Sequence, residues 1–308
     1  MRNGLRQWAV ALALLAIPVV SLLAATPAHA DFLPGGSGDY AVLFEGGGGK
    51  TLHLTSDSEI NGNVGVGNTG QVGLAGGAIN GRLDFSAANT GQLSLGGGTV
   101  SGGVNYSVAA VTTALNAVNS LSTTLGAEAG TNVAISGTQT IEGSTGTLDA
   151  AGNRVFTITS FSQVNADVLT VHGDGHPIVF NDATGASFHA NMVLTGGLTD
   201  DQVLWNFTGG AALSGGPTLQ GNTAPNTQTI HGIFLDVNGN VNFNSITIDG
   251  RIFGGDTADM QIVSNATVNQ PPGTPTPEPT SLLLLGSGLA GLGAVVRRRS
   301  TRRRDTAV

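Results

Sequence analysis

The sequence predicts an all-β central region: a right-handed, three-faced β-solenoid with one flanking α-helix, set between an N-terminal signal helix and a C-terminal membrane helix. Three observations predict it. A short glycine-centred unit recurs along the chain, the strand-forming runs are brief and broken by Asn-Gly and Gly-Gly, and one stretch alone carries helical periodicity.

The unit reads apolar, polar, Gly, any residue, apolar. It occurs as Ile60-Asn61-Gly62-Asn63-Val64, Ile79-Asn80-Gly81-Arg82-Leu83 and Val100-Ser101-Gly102-Gly103-Val104, and again as Val237-Asn238-Gly239-Asn240-Val241 and Ile248-Asp249-Gly250-Arg251-Ile252. A period of about 20 residues fits one coil of three short strands. Asn-Gly also signals hairpins, the competing reading; the brevity of the strands and the held spacing favour coils. Further strands are expected at Val155–Ile158, Val168–Val171, Pro177–Asn181, Asp201–Phe207, Ile230–Leu235 and Ile248–Phe253. Trp205 and Phe207 are expected in the core rather than on a sugar-stacking surface.

Residues 107–125 differ. Val108, Val111, Leu115, Val118, Leu121 and Leu125 step by three and four, the stripe of an amphipathic helix, and Gly126 stands where a C-cap belongs. Such a helix must bury its stripe, on the flank of the solenoid.

The two ends are targeting segments. Arg2 and Arg6 precede an apolar run from Trp8 to Leu23, and Ala28-His29-Ala30 supplies small residues at −3 and −1 of a cleavage site between Ala30 and Asp31. Residues 1–30 are therefore a signal peptide and 31–269 the solenoid domain. A Pro-rich linker at 270–280 contains Pro277-Glu278-Pro279. Residues 281–296 form a transmembrane segment, short for a bilayer at about 22 Å of helix. The basic tail, 297–308, carries Arg297, Arg298, Arg299, Arg302, Arg303 and Arg304 on the cytoplasmic side, as the positive-inside rule asks.

Charge and composition narrow the function. Asp31 to Gln270 holds only Lys50, Arg82, Arg154 and Arg251 against eighteen acidic residues, a net of about −14. That body repels nucleic acid and anionic lipid, so no nucleic-acid partner is expected. The absence of cysteine removes disulfides, thiolate metal sites and cysteine nucleophiles.

No motif carries recognisable chemistry, and no cofactor, metal or catalytic residue is assigned. His172 and His176 stand four apart but within a Gly-rich turn, and His53, His189 and His231 are dispersed. Asp236-Val237-Asn238-Gly239-Asn240 lacks the glycine position and closing glutamate of an EF-hand. Asp200-Asp201 reads as a solvated turn, because neighbours on a strand face opposite ways. Thr138/Thr140, Thr145/Thr147, Thr157/Thr159 and Thr227/Thr229 would array water on a flat face if they stood in rank; threonine also simply favours strands.

The order Pro-Glu-Pro, short Leu/Gly-rich apolar segment and arginine cluster resembles the PEP-CTERM sorting signal of Gram-negative bacteria. The resemblance implies recognition at Pro277, Glu278 and Pro279 by an exosortase-type membrane protease, and a link to exopolysaccharide or biofilm. The strands from Val155 onward, with Leu204-Trp205-Asn206-Phe207 and the later Gly-containing strand, resemble the choice-of-anchor A type adhesive domain; Phe234-Leu235-Asp236 departs from that family's Leu-Ala-Pro. Asp39–Leu43, Ile60–Val66 and the helix resemble bacterial ice-binding β-solenoids. The expected function is thus a non-catalytic adhesive or matrix-associated surface protein, inner-membrane anchored until processed. Ice binding is the alternative and an exopolysaccharide-processing enzyme the third.

Overall fold

The computed structural model describes residues 32–88, 92–216, 228–256 and 258–272. The signal segment with Ala30 and Asp31, the Pro277-Glu278-Pro279 motif, the apolar segment and the arginines lie outside the described residues. The body is a three-faced β-solenoid of parallel strands with one long helix, α1 (Ala109–Gly126), along its flank.

The repeated unit is the corner of each coil. In Ile248-Asp249-Gly250-Arg251-Ile252 the first isoleucine is buried inside one face and Ile252 inside the next, and the strand Thr247–Gly254 bends between them. Glycine is needed at the bend because coils stack there in register, Gly232 against Gly250, and a Cβ on Gly250 would overlap the Gly232 carbonyl oxygen. The polar residue before the glycine points outward. Four of the five units are such corners. Val237–Val241 instead turns from the strand Thr229–Asp236 into Val241–Asn244 at a different corner, whereas Ile230-His231-Gly232-Ile233-Phe234, with an apolar fourth position, has the corner geometry.

Successive coils are not in sequence order. On the face covered by the helix the strands run Val104–Asn105, Leu83–Phe85, Val64–Val66, Val42–Phe44, Thr247–Gly254, Thr229–Asp236, Val203–Phe207, Ile178–Asp182, Arg154–Ser162 and Thr131–Ser136. The chain therefore starts mid-stack and winds to one end. It then runs back along the flank through α1, about 27 Å long, and coils from the far end to the middle again. There the last coil closes on the first, with Val42 opposite Ile252 and Val268 opposite Ile60.

Inside the coils one aromatic column carries the C-terminal half. Phe156, Phe180, Trp205 and Phe234 occupy one register column, and Phe180 and Trp205 stack at 4.2 Å between ring centroids. Trp205 and Phe207 are core residues, as expected. Asn206 between them faces α1: its Nδ2 donates to the Ser122 carbonyl (3.1 Å) and its Oδ1 accepts from Ser122 Oγ (2.7 Å), while Asn181 Nδ2 donates to the Leu125 carbonyl (2.7 Å). These bonds clamp the last turn of α1 to the covered face.

The stripe of α1 buries Val111, Ala114, Leu115, Val118 and Leu125 against Leu43, Val155, Val179, Leu204, Ile233, Leu235 and Phe253, outward residues of the covered face. That gives the body a second apolar layer, each large buried side chain worth about 1.5–3 kcal/mol. Gly126 is the last helical residue and Ala127 the cap, so this glycine is not a left-handed cap. It is small because a Cβ there would approach Thr208 Cγ2 to 2.9 Å.

Candidate binding face

The polar position of the corner unit builds an outward row on the face that follows the turn from the second sheet. His231, Asp249, Asn269, Asn61 and Asn80 stand one per coil. Asn80 Nδ2 donates to Asn61 Oδ1, Asn61 Nδ2 to Asn269 Oδ1, and Asn269 Nδ2 to Asp249 Oδ1, each at 2.8 Å. In-register parallel stacking sets identical amides about 4.8 Å apart, the spacing at which they chain. Each rung uses one amide hydrogen and one oxygen lone pair, so each keeps further capacity for a ligand.

Two residues earlier on the same strands runs a second outward row: Thr229, Thr247, Thr267, Glu59, Ala78 and Thr99. Threonines thus do stand in rank, but one per coil from separate parts of the chain. Of the Thr-x-Thr pairs, only Thr229 joins that row among the described residues. Thr138 caps the Val168 N–H, Thr147 meets Thr131, Thr157 lies opposite Asn181, and Thr159 bonds the Val133 carbonyl; Thr227 lies outside the described residues.

A charged cluster ends the amide ladder. His231 Nδ1 lies 2.8 Å from Asp200 Oδ1 and 3.9 Å from Asp249 Oδ2. Asp201 turns the other way and accepts from Arg251 Nε at 3.0 Å. The Asp200-Asp201 turn is therefore engaged with two partners rather than merely solvated. Arg251, 1% exposed, also donates through Nη1 to the carbonyls of Gly38 (2.7 Å) and Tyr40 (2.8 Å), tying the N-terminal segment to the closing coil.

The second sheet presents a different outward row: Ser187, Ser214, Asn242, Gln261, His53, Gly73 and Ser94. It has no threonine rank at its centre, and His53 sits 3.7 Å from Asp259. His172 bonds Thr195 and His176 the Gly152 carbonyl, so the two histidines have separate partners.

Sequence spacing gave no hint of one further juxtaposition. Glu45 and Asp256, far apart in the chain, come together in a pocket of about 340 Å³ between α1 and the solenoid, lined also by Asn68, Thr69, Asn116 and Asn119. Burial pushes the Glu45 carboxyl up to about 7; the Asn119 amide that donates to it opposes this and neighbouring Asp256 reinforces it. Only the stacking of the last coil on the first creates this pair.

Residues 275–299 match the PEP-CTERM protein-sorting motif. That defines the class: an exported protein that an exosortase recognises and sorts to the cell surface. In fold, the chain is similar to the crystal structure of an ice-binding protein from the Antarctic ascomycete Antarctomyces psychrotrophicus, at 17% identity, over 78% of this chain and 98% of that one, with a TM-score of 0.50. It is likewise similar to an antifreeze ice-binding protein from an Arctic yeast, at 16% identity, over 81% and 99%, with a TM-score of 0.50. At such identities the likeness establishes the solenoid architecture alone. No curated protein matches the chain.

Proposed function

We propose that this chain is a non-catalytic adhesive protein of the envelope or matrix of a Gram-negative bacterium, which binds exopolysaccharide through its ladder face. The observation that carries this reading is the pair of continuous polar rows, His231 to Asn80 and Thr229 to Thr99. A flat, periodic, hydrogen-bonding surface suits a periodic ligand, and the coil spacing is close to the length that one pyranose residue adds to an extended chain. Binding spread over many rungs needs no single anchor. Replacing Asn61, Asn80 and Asn269 together by leucine should release the protein from its host's exopolysaccharide, whereas each single change weakens retention only modestly. Retention of the triple variant at the wild-type level contradicts the reading.

Sorting is the other half of the proposal. Cleavage after Ala30 exposes Asp31; residues 281–296 hold the chain in the inner membrane with the arginines inside until the protease acts at Pro277-Glu278-Pro279. Changing those three residues to alanine should leave export intact and accumulate an unprocessed membrane form, seen as a larger band in the membrane fraction. Normal processing of that variant would remove the sorting step.

Ice binding is a second reading, favoured by the in-register row Thr229, Thr247 and Thr267. Glu59 interrupts that row and the charged ladder adjoins it, both unfavourable to an ordered water array. Thermal hysteresis at micromolar protein, lost in Thr247→Tyr, would promote this reading over adhesion. An enzyme reading would place its chemistry at the Glu45–Asp256 pocket, and the adhesive reading predicts that exopolysaccharide chain length is unchanged by wild type and by Glu45→Gln alike.

A further inference from the structure

The ladder face also carries a charge pattern, and it bears on which polysaccharide fits. Among the described residues the two rows hold Glu59 and Asp249, with Asp200 beside His231, and neither row holds a lysine or arginine. The three arginines of the body each pair with a carboxylate: Arg82, half-exposed at the corner beside Asn80, with Asp84 at 3.4 Å, Arg154 with Asp174 at 2.7 Å and Arg251 with Asp201 at 3.0 Å. Their charge does not offset the remaining carboxylates, so the field over this face is that of the acidic body, attractive to cations and repulsive to polyanions. Carboxylates also recur along the axis, Glu59 and Asp249 lying on coils separated by the strand Thr267–Asn269. A ligand that matches both the amide rungs and these acids has hydroxyls on every sugar and cationic groups on some.

We infer that the polymer held by the ladder face is an amine-bearing polysaccharide, a chain of amino sugars at least partly free of acetyl groups. Its hydroxyls pair with Asn61, Asn80, Asn269 and the threonine row, and its ammonium groups sit at Glu59 and Asp249. This rests on the adhesive reading and narrows it, from any exopolysaccharide to one of a definite charge class.

The test measures binding of the full-length protein to glucosamine oligomers, to the same oligomers fully N-acetylated, and to a polyuronate of equal length. It is done at about pH 5.5, above the ordinary carboxylate range and below that of an amine. The glucosamine oligomer should bind at least about tenfold more tightly than its acetylated form, and that advantage should shrink as salt is raised. Glu59→Gln with Asp249→Asn should abolish the advantage, so that the glucosamine oligomer binds no more tightly than its acetylated form; Asp259→Asn, beside the second sheet, should leave the advantage intact. Equal binding of the two oligomers, tighter binding of the polyuronate, or an advantage that survives the double change overturns the charge assignment and leaves the adhesive reading standing. Failure to bind any of the three polymers, or the host's own exopolysaccharide, overturns both.

Discussion

Single residues in this body act mainly across long sequence separations. Arg251 joins a closing coil to carbonyls of Gly38 and Tyr40, more than two hundred residues away. Asn206 holds the helix through Ser122, 84 residues earlier. The sequence marks such positions only as polar residues within apolar strands, and nothing in their spacing names the partner. Asp236 differs, a fully buried carboxyl at the end of its strand with a partner close in sequence. Burial pushes it up to about 7, opposed by the Gly239 N–H, and Glu45 is raised to about 7 as well. In the unfolded chain both titrate near 4. The folded body therefore binds these protons more tightly, and their contribution is full below about pH 4 and lost as pH rises through about 7. The melting temperature should fall between pH 5 and pH 8, and Asp236→Asn should flatten that fall. A wild-type profile that rises with pH over this range would contradict the burial of both groups as neutral acids.

Elements were more legible than residues. The corner unit is local, so its apolar, polar, Gly, apolar order showed in the sequence, and so did the apolar stripe of α1. What misled was chemistry that a local pattern cannot rank. Val237–Val241 shares the unit's composition but turns a different corner, and Ile230–Phe234, which fits the same order within a run expected as one strand, forms a corner. Threonine pairs within one strand were visible, whereas the row Thr229, Thr247 and Thr267 exists only after coils stack. The helix is the element with the clearest consequence. It has no charged residue over its length, and its stability comes from the layer it covers rather than from surface pairs. Val118, 1% exposed, sits mid-stripe, so Val118→Asp buries an unpaired carboxylate at a cost of about 3 kcal/mol or more, lowering the melting temperature by about 10 °C. Thr113→Asp on the exposed side should change it little. Equal melting of both variants would mean that α1 does not pack on the solenoid.

At the scale of the whole molecule, coil order is the feature that local pattern could not supply. A period of about 20 residues predicts coils but is silent on a stack that begins in its middle, and the flanking helix was legible as a cover without being legible as the return path. That order places the last coil against the first and so completes both the amide ladder, where Asn269 bridges Asn61 and Asp249, and the Glu45–Asp256 pocket. It also confines the polar rows to one face while α1 covers another and the second sheet carries an unrelated row. If the ladder face is the surface that binds, the ligand shields its strands and not those of the second sheet. Hydrogen exchange of the protein with and without its host's exopolysaccharide tests this most directly, by comparing the strands Glu59–Asn61, Ala78–Ile79 and Thr267–Asn269 with Thr51–Thr55 and Gln71–Ala75 of the second sheet. Binding through the ladder face adds protection to the first group and none to the second; protection confined to the second sheet, or to neither, would rule it out.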